Sequence, residues 1–280
     1  MSTIGVSTFK TWICFGVLLV LVTGCRTKFN PSAPNPSITG TSSSSTLQHI
    51  QENKTLKVAT TGDFMPFTYT RDTTDTYEGI DIEMAKDLAK FLGVNLTFVE
   101  TSWPTLLSDL KSRKFDIGMS GITITKARQE QAFFSIPVYS SGKAAITRDE
   151  DAKVYNSIDA INSEKVRVIF NPGGTNEFFA RANFPKAILI ENEDNLSIFQ
   201  KLVDGEADVM VTDAVETLIQ EQIHPELEAV NPEKTFNSFD FGYLIEKDSL
   251  FKTTVDQWLL SRKKDSLVQK LFQKELSKLH

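Results

Sequence analysis

The 280-residue sequence predicts an α/β fold of two lobes, with mostly parallel sheets flanked by helices and a ligand cleft between the lobes. Three observations predict this fold. Strand-like and helix-like segments alternate from residue 47 onward, and a helix–turn–strand unit occurs twice. In addition, Gly173 and Gly174 separate a strand-like run from a helical one, which is typical of a backbone that approaches a ligand closely.

The N-terminal segment predicts export. Lys10 is the only charge before the apolar run Trp12–Val22, which is too short to span a bilayer, so residues 1–24 are expected to be a signal peptide. The four residues ending at Cys25 resemble a lipobox and predict a lipid on that cysteine; an ordinary signal peptide with a chance cysteine is the alternative. Residues 25–46, rich in Ser, Thr and Pro, are expected to form a flexible tether. We therefore expect a protein anchored to a bacterial membrane that faces the periplasm or the cell exterior.

Composition excludes several classes of function. The net charge of −6 and the pI of 5.3 argue against a nucleic-acid partner. The three histidines are scattered and no Cys/His spacing suggests a metal site. The sequence contains neither a phosphate-binding P-loop nor a GxSxG nucleophile motif, and we expect no cofactor.

Hydrophobic periodicity predicts the elements in order. The expected strands are residues 56–60, 96–99, 115–119 and 166–170. The expected helices are residues 80–91, 106–110 and 178–183. Gly93 is expected to end the first of these helices.

An internal repeat predicts the two lobes. Leu106–Ser120 and Phe199–Thr212 each contain a helix, a turn, an aspartate and a strand, with Asp116 and Asp208 at equivalent places. Ligands of open α/β sheets bind beyond the carboxyl ends of the strands, so two such units suggest a cleft between two sheets. Single-lobed α/β proteins contain similar units. The chain is expected to cross between lobes near residues 142–147 and 235–239. Lobe 1 would then comprise residues 47–144 and 238–280, and lobe 2 residues 145–237.

Several stretches carry a resemblance to a known family. They are Leu56–Asp63, Gly79–Ala85 and Phe115–Thr125 with Arg128. They resemble the type II periplasmic solute-binding proteins of the polar-amino-acid family, over nearly all of residues 50–277. The resemblance implies a small-molecule carboxylate ligand in the cleft.

A second set of stretches resembles the cyclohexadienyl dehydratases, exported enzymes of the same superfamily that act on prephenate and arogenate. These stretches are Thr101–Pro104, Asn171–Glu177 and His224–Leu227. The resemblance implies a lyase that removes water and CO2 to give phenylpyruvate or phenylalanine. One departure concerns Thr125, where those enzymes carry Asn. The other hypothesis is the capture subunit of an amino-acid ABC transporter, with a permease as partner, because the fold alone does not decide function.

The dehydratase hypothesis assigns the chemistry to two residues. Glu177, in the first turn of the helix after the glycine pair, is the candidate general acid, or it merely complements the helix dipole. Thr175 and Asn176 are expected to cap that helix. Lys143 is expected to meet the second carboxylate or the leaving oxygen, with a solvated lysine as the alternative.

The remaining candidates bind substrate. Arg128 suits bidentate carboxylate binding, and Thr125 is expected to cap the helix that carries it; a solvated surface arginine is the alternative. Thr123 and the backbone N–H of Thr175 would complete this carboxylate site.

Three further residues are candidates for the ligand contact. Trp103 is expected to lie against the substrate ring or to be a core tryptophan. Ser120 follows the strand of the first repeat unit. Asp213 follows the strand of the second unit and is expected to pair with an α-amino group or to cap the next helix.

Overall fold

The computed structural model describes residues 45–70 and 76–278. The predicted signal peptide, Cys25 and all but the last two residues of the predicted tether lie outside the described residues. Ser45 begins the described chain and accepts the N–H of Gln48, so it caps the first helix. No helix in these two ranges has both the length and the apolar character needed to cross a bilayer.

The element bounds follow the predicted alternation. The strands are β1 (Thr55–Thr60), β2 (Asp63–Phe64), β3 (Thr68–Thr70), β4 (Tyr77–Glu78), β5 (Asn95–Glu100), β6 (Ile117–Gly118), β7 (Phe133–Phe134), β8 (Tyr139–Ser141), β9 (Lys143–Arg148), β10 (Arg167–Phe170), β11 (Ile188–Glu191), β12 (Val209–Asp213), β13 (Leu227–Val230), β14 (Phe239–Phe241) and β15 (Leu244–Ile245). The helices are α1 (Thr46–Asn53), α2 (Ile80–Leu92), α3 (Leu106–Lys111), α4 (Lys126–Gln129), α5 (Ile158–Ile161), α6 (Thr175–Asn183), α7 (Ile198–Val203), α8 (Ala214–Ile223), α9 (Ser249–Lys264) and α10 (Leu267–Leu276).

Two five-stranded sheets form the two lobes. The first has the order β5-β1-β6-β15-β7 and the second the order β11-β10-β12-β9-β13. Each sheet has two parallel pairings and two antiparallel ones. The sheets are therefore mixed, whereas the sequence predicts mostly parallel ones. The reason is that β15 and β9 each follow a crossing from the other lobe and enter their sheet against its direction.

Helix α2 shows how the pattern produces packing. Ile80, Met84 and Leu88 are completely buried in the core of the first lobe, as the helical spacing predicts. Phe91, predicted on the same face, is 47% exposed because it lies in the last turn, beyond the covered stretch. Gly93 ends the helix with φ 68°.

The internal repeat is confirmed as two equivalent units. Asp116 precedes β6 and accepts the backbone N–H of Lys57 at 2.8 Å. Asp208 precedes β12 and accepts the backbone N–H of Arg167 at the same distance of 2.8 Å. Each aspartate therefore ties the start of its strand to the parallel neighbour, and the two strands point their carboxyl ends toward the cleft.

The chain crosses between the sheets along two paired strands. β8 and β14 run antiparallel, with Ser141 opposite Phe239. Gly142 lies directly after β8, and a Cβ there would stand 2.1 Å from the carbonyl oxygen of Asn237. β9 begins at Lys143, which pairs with Asp213 in the second sheet. This strand therefore joins the second sheet two residues before the predicted boundary, and the other lobe limits stay predictions.

Candidate active site

A cleft of about 310 Å³ lies between the two sheets, at the carboxyl ends of their strands. The first sheet's side contributes Phe64, Trp103, Gly121 and Thr123 to its lining. The second sheet's side contributes Asn171, Gly174, Thr175, Asn176, Asn195, Asp213 and Glu216. The position agrees with the rule that open α/β sheets bind ligands beyond their strand ends.

Aromatic rings form one wall of the cleft. Trp103 and Phe64 meet edge to face, with ring centroids 6.1 Å apart. The indole Nε1 of Trp103 donates to Asp63 Oδ2 at 3.0 Å, which fixes the ring's orientation. Burial raises the pKa of Asp63, although its hydrogen bonds with Thr61 and Trp103 lower it in part. Trp103 thus lines the cleft, and its contact with a substrate ring stays a prediction.

Arg128 is a buried cation behind the cleft. Thr125 accepts the backbone N–H of Arg128 at 3.2 Å, so the predicted cap is confirmed. Nη1 of Arg128 donates to the carbonyl oxygen of Thr123 at 2.9 Å, and burial lowers the pKa of the guanidinium to about 10. The alternative of a solvated arginine is wrong, since the residue is 8% exposed. Within residues 45–70 and 76–278, no carboxylate forms an ion pair with Arg128.

Lys143 joins three elements of the second lobe. It is 1% exposed, so the alternative of a solvated lysine is wrong. Its Nζ forms an ion pair with Asp213 Oδ1 at 2.6 Å, and it donates to Thr175 Oγ1 and to Asn176 Oδ1. Asp213 precedes α8, but its side chain makes no cap hydrogen bond because Lys143 holds it. The buried charges of this pair therefore neutralise each other.

The glycine pair makes a close contact between the lobes. Gly173 has φ 76°, and a Cβ there would stand 2.5 Å from the backbone nitrogen of Pro104. Helix α6 begins at Thr175, three residues earlier than predicted, and its N-cap is Gly174. The predicted capping by Thr175 and Asn176 is wrong, because both side-chain oxygens accept hydrogen bonds from Lys143 instead.

Glu177 lies one residue beyond the part of α6 that lines the cleft. Its Oε2 accepts the backbone N–H of Gly173 at 2.7 Å, and its Oε1 accepts Arg181 Nε at 2.7 Å. The backbone hydrogen bond, followed by Arg181, lowers the pKa of the carboxyl group, while partial burial opposes this. Glu177 is therefore ionised in this conformation, and its role as a proton donor stays a prediction.

Ser120 supports the cleft from behind rather than lining it. Its Oγ accepts the backbone N–H of Thr61 at 3.0 Å. The next residue, Gly121, lines the cleft and donates its N–H to Asp81 Oδ2 at 2.6 Å. Burial raises the pKa of Asp81 to about 7. These contacts fix the loop that leads from β6 to Thr123.

Sequence reasoning missed Phe64 and two polar residues of the cleft, Glu216 and Asn195. Glu216 is 1% exposed and lies in the first turn of α8, where an acidic residue normally complements the helix dipole. Asn195 donates from Nδ2 to the carbonyl oxygen of Asp63 at 2.9 Å and so connects the lobes. The only signal for Glu216 in the sequence was its position three residues after Asp213, which ends a buried strand.

Comparison with known proteins identifies the family. The profile of the bacterial extracellular solute-binding proteins, family 3, matches residues 56–278. The chain belongs to this family. Family 3 is extracellular by its description, so the protein is exported. The two-lobed fold with mixed sheets and an interlobe cleft is that of a type II periplasmic binding protein.

Three similar proteins, one known from its sequence comparison and two from their crystal structures, point to a narrower function. A cyclohexadienyl dehydratase of Pseudomonas aeruginosa is 48% identical over 215 residues, which cover 77% of this chain and 80% of that protein. The crystal structure of an ancestral cyclohexadienyl dehydratase is 48% identical, with a TM-score of 0.53 over 84% of this chain and 97% of that one. An ancestral amino acid-binding protein, described as a precursor of cyclohexadienyl dehydratase, is 36% identical, with a TM-score of 0.75 over 82% of this chain and 99% of that one.

Proposed function

We propose that this family 3 protein is a cyclohexadienyl dehydratase, which converts prephenate to phenylpyruvate and arogenate to phenylalanine. The observation that carries the proposal is the 48% identity with a dehydratase over 215 residues. The identity with the ancestral binding protein is lower, at 36%. The enzyme hypothesis therefore has more sequence support than a purely binding role.

The reaction needs little covalent chemistry from the protein. The bond between the ring and its carboxylate breaks, and CO2 leaves while the electron pair enters the ring. The C4–oxygen bond breaks, and the hydroxyl group takes a proton and leaves as water. Because the product ring is aromatic, the overall change is strongly favourable, and the protein must supply two anion sites and one proton.

The two buried cations supply the anion sites. Arg128 is buried, forms no ion pair in the described part of the chain, and donates to Thr123, which lines the cleft. We assign to it and Thr123 the side-chain carboxylate of the substrate, with the Thr175 backbone N–H completing the site. Lys143 is assigned to the ring carboxylate. In the free protein the three donors of its ammonium group reach Asp213, Thr175 and Asn176, so the ring carboxylate must replace one of these partners.

The aromatic wall suits the substrate ring. Trp103 and Phe64 present apolar surface to the cleft, and the bond from Trp103 to Asp63 holds the indole in place. We assign to Trp103 the face of the cyclohexadiene ring, where the flat product ring also fits.

Glu177 is the proposed proton donor, with Lys143 as the second candidate. The role of Glu177 requires that the substrate raise its pKa, because in the free protein Gly173 and Arg181 lower it. An anionic substrate has this effect, since a neighbouring like charge disfavours the ionised carboxyl group. Arg181, which is half exposed, is the partner that Glu177 must release.

The second candidate function is the capture subunit of an amino-acid ABC transporter, with a permease as partner. The observation in its favour is the TM-score of 0.75 with the ancestral amino acid-binding protein. Both functions use the same cleft, and only turnover distinguishes them.

Turnover of prephenate tests the proposal. Purified protein is mixed with prephenate near neutral pH and the absorbance of phenylpyruvate is followed against a blank without protein. Product that accumulates in large molar excess over the protein supports the dehydratase. Absence of turnover of both prephenate and arogenate, together with tight binding of an amino acid, would support the transporter subunit instead.

We also propose that Cys25 carries a lipid that anchors the protein to a bacterial membrane. The support is the lipobox-like sequence before it. Cell fractionation of the full chain and of Cys25→Ala tests this, with the native protein expected in the membrane fraction and the variant in the soluble one. Equal distribution of both forms would contradict it.

A further inference from the structure

Two polar atoms in the cleft lack a hydrogen-bond partner. In the described part of the chain, Glu216 Oε1 and Asn195 Oδ1 are both buried and unpaired, and both residues line the cleft. A buried polar atom without a partner destabilises a protein, and native structures contain few of them. Two such atoms in one cleft therefore indicate contacts that a ligand completes.

A chain of hydrogen bonds fixes where a proton on Glu216 must lie. Lys143 has only donors, so the atom of Asn176 that faces it is the amide oxygen. The amide nitrogen of Asn176 then donates to Asn171 Oδ1 and, at 3.0 Å, to Thr212 Oγ1. The single hydroxyl proton of Thr212 goes to Glu216 Oε2 at 2.5 Å. Because Oε2 accepts this bond, a proton on the carboxyl group lies on Oε1, the unpaired atom.

The surroundings keep this carboxyl group neutral at pH 7. Burial raises the pKa of Glu216 most, the hydrogen bond from Thr212 lowers it, the charges of Asp213 and Asp63 raise it, and Lys143 lowers it. The net pKa is about 8. The carboxyl group thus changes its charge close to neutrality. Below this pKa Oε1 carries a hydrogen-bond donor, and above it Oε1 is an acceptor with negative charge.

The place of Glu216 relative to the carboxylate site suggests what it contacts. Glu216 and Asp213 line the same cleft as Thr123, whose carbonyl oxygen accepts Arg128 Nη1. A substrate whose side-chain carboxylate binds Arg128 carries its keto or amino group on the adjacent carbon. Of the two carboxyl groups that line the cleft, Asp213 is already paired with Lys143, whereas Glu216 has a free atom.

We propose that Glu216 recognises the group next to the substrate's side-chain carboxylate and sets the preference between keto acid and amino acid. Protonated Glu216 donates from Oε1 to the keto oxygen of prephenate. Ionised Glu216 accepts a hydrogen bond from the ammonium group of arogenate and repels the keto oxygen. This inference rests on the proposed function and specifies how that cleft selects its substrate.

The predicted consequence is a preference that changes with pH. As pH rises through the Glu216 pKa of about 8, kcat/KM for prephenate should fall relative to kcat/KM for arogenate. A hydrogen bond to a charged group is stronger than a neutral one by roughly a factor of ten in affinity. The ratio of kcat/KM for prephenate to kcat/KM for arogenate should therefore change by about tenfold or more over this pH range.

The test compares three proteins between about pH 6 and pH 9, the range in which a group with this pKa titrates. They are the native protein, Glu216→Gln, and Glu193→Gln as a control on an exposed glutamate of the same lobe. Glutamine keeps the neutral shape, accepts from Thr212 and donates toward the ligand. We expect its prephenate-to-arogenate ratio to stay constant with pH, with arogenate turnover lowered about tenfold at the alkaline end. The control should follow the native protein.

Two results would overturn the inference. One is a Glu216→Gln ratio that follows the native pH dependence, and the other is a native ratio that does not change with pH. The second result decides even where Glu216→Gln fails to fold, because it needs only the native protein.

Failure of the proposed function is recognised separately. If the native protein turns over neither substrate, binding of phenylpyruvate and of L-phenylalanine is measured by calorimetry over the same pH range. The proposed role of Glu216 then predicts that phenylpyruvate binds more weakly and L-phenylalanine more tightly as pH rises. The same pH dependence for both compounds would contradict the role of Glu216 independently of catalysis.

Discussion

At the scale of single residues, the cleft is organised by two buried cations with different surroundings. Lys143 is neutralised by Asp213, while the guanidinium of Arg128 donates to the carbonyl oxygen of Thr123 and, among residues 45–70 and 76–278, has no carboxylate partner. A buried charge without a counter-ion costs several kcal/mol, roughly, so an unpaired cation beside a cleft is explained best by an anionic ligand. Arg128 is therefore the anchor on which ligand binding should depend most.

We predict that Arg128→Ala weakens ligand binding by about 2–5 kcal/mol, because a charge-assisted contact is lost. Calorimetry with phenylpyruvate or the true substrate measures this. Arg113→Ala is the matched control, since Arg113 is an exposed arginine paired with Glu246. Equal ligand affinities of the two variants would show that Arg128 does not bind the ligand.

We predict that Glu177→Gln keeps substrate affinity but lowers kcat by about 10²–10⁴-fold, the usual contribution of a general acid. Glutamine keeps the shape and still accepts the N–H of Gly173, so binding should change little. Steady-state kinetics with prephenate separate kcat from KM. A variant with native kcat would transfer the role of the acid to Lys143.

The sequence predicts some of these residues better than others. The cap by Thr125 can be predicted from local spacing, because Arg128 lies three residues after it. The hydrogen bond between them forms within one short helix and does not depend on distant segments. Glu216 and Asn195 could not be found this way, because their burial and their unpaired oxygen atoms arise only when distant segments pack. The pairing of Lys143 with Asp213, 70 residues apart, depends on strand register in the same way.

At the scale of elements, the crossing strands connect the lobe joint to the cleft. Gly142 lies between β8 and β9, and Lys143 is the next residue. The backbone N–H of Lys143 donates to Asn237 Oδ1 at 2.8 Å, and its carbonyl oxygen accepts the N–H of Phe236 at 2.7 Å. The backbone of Lys143 is therefore fixed by hydrogen bonds to the second crossing segment, while its side chain contacts residues of the cleft.

We predict that Gly142→Ala lowers both stability and ligand affinity. The added Cβ would lie 2.1 Å from the carbonyl oxygen of Asn237, so the crossing strands must move apart and displace Lys143. Urea unfolding and calorimetry measure the two effects. Gly205→Ala is the control: it meets no atom within 4 Å but has φ 72°, so it should cost about 1–2 kcal/mol of stability and leave affinity unchanged. Native affinity in Gly142→Ala would argue against this connection.

The sequence predicts the alternation of elements and the repeated unit but not the direction of every strand. Apolar runs mark residues 56–60 and 166–170 as strands, and most side chains of Thr55–Thr60 and Arg167–Phe170 are buried. Such runs contain no information on β9 and β15, whose antiparallel direction results from the two crossings. The start of α6 was missed because Thr175 and Asn176 look like caps until Lys143 is placed beside them.

At the scale of the whole molecule, the two lobes touch around the cleft. Asn195 of the second lobe donates to the carbonyl oxygen of Asp63 in the first, and Gly173 packs against Pro104. Each lobe also has its own hydrophobic core, and Val215 of the second lobe packs against the core of the first. The lobes should therefore separate and close again as units, with ligand favouring the closed form.

We predict that a bound ligand lowers the radius of gyration, because it completes contacts to both lobes and excludes water from the cleft. Small-angle scattering with and without saturating ligand measures this. Asn195→Ala should reduce the closed fraction in the absence of ligand, while Glu193→Ala is a control on an exposed residue of the same loop. An unchanged radius of gyration at confirmed occupancy would contradict a hinged cleft.

The central claim is that this cleft catalyses a reaction rather than only holding a ligand. The most direct measurement is the amount of phenylpyruvate formed from prephenate per molecule of protein, for the native chain and for Arg128→Ala purified identically. We predict many turnovers by the native protein and a large loss in the variant, since a contaminating enzyme would be equally active in both preparations. Release of no more than one product per native molecule, or equal product from both preparations, would contradict the claim.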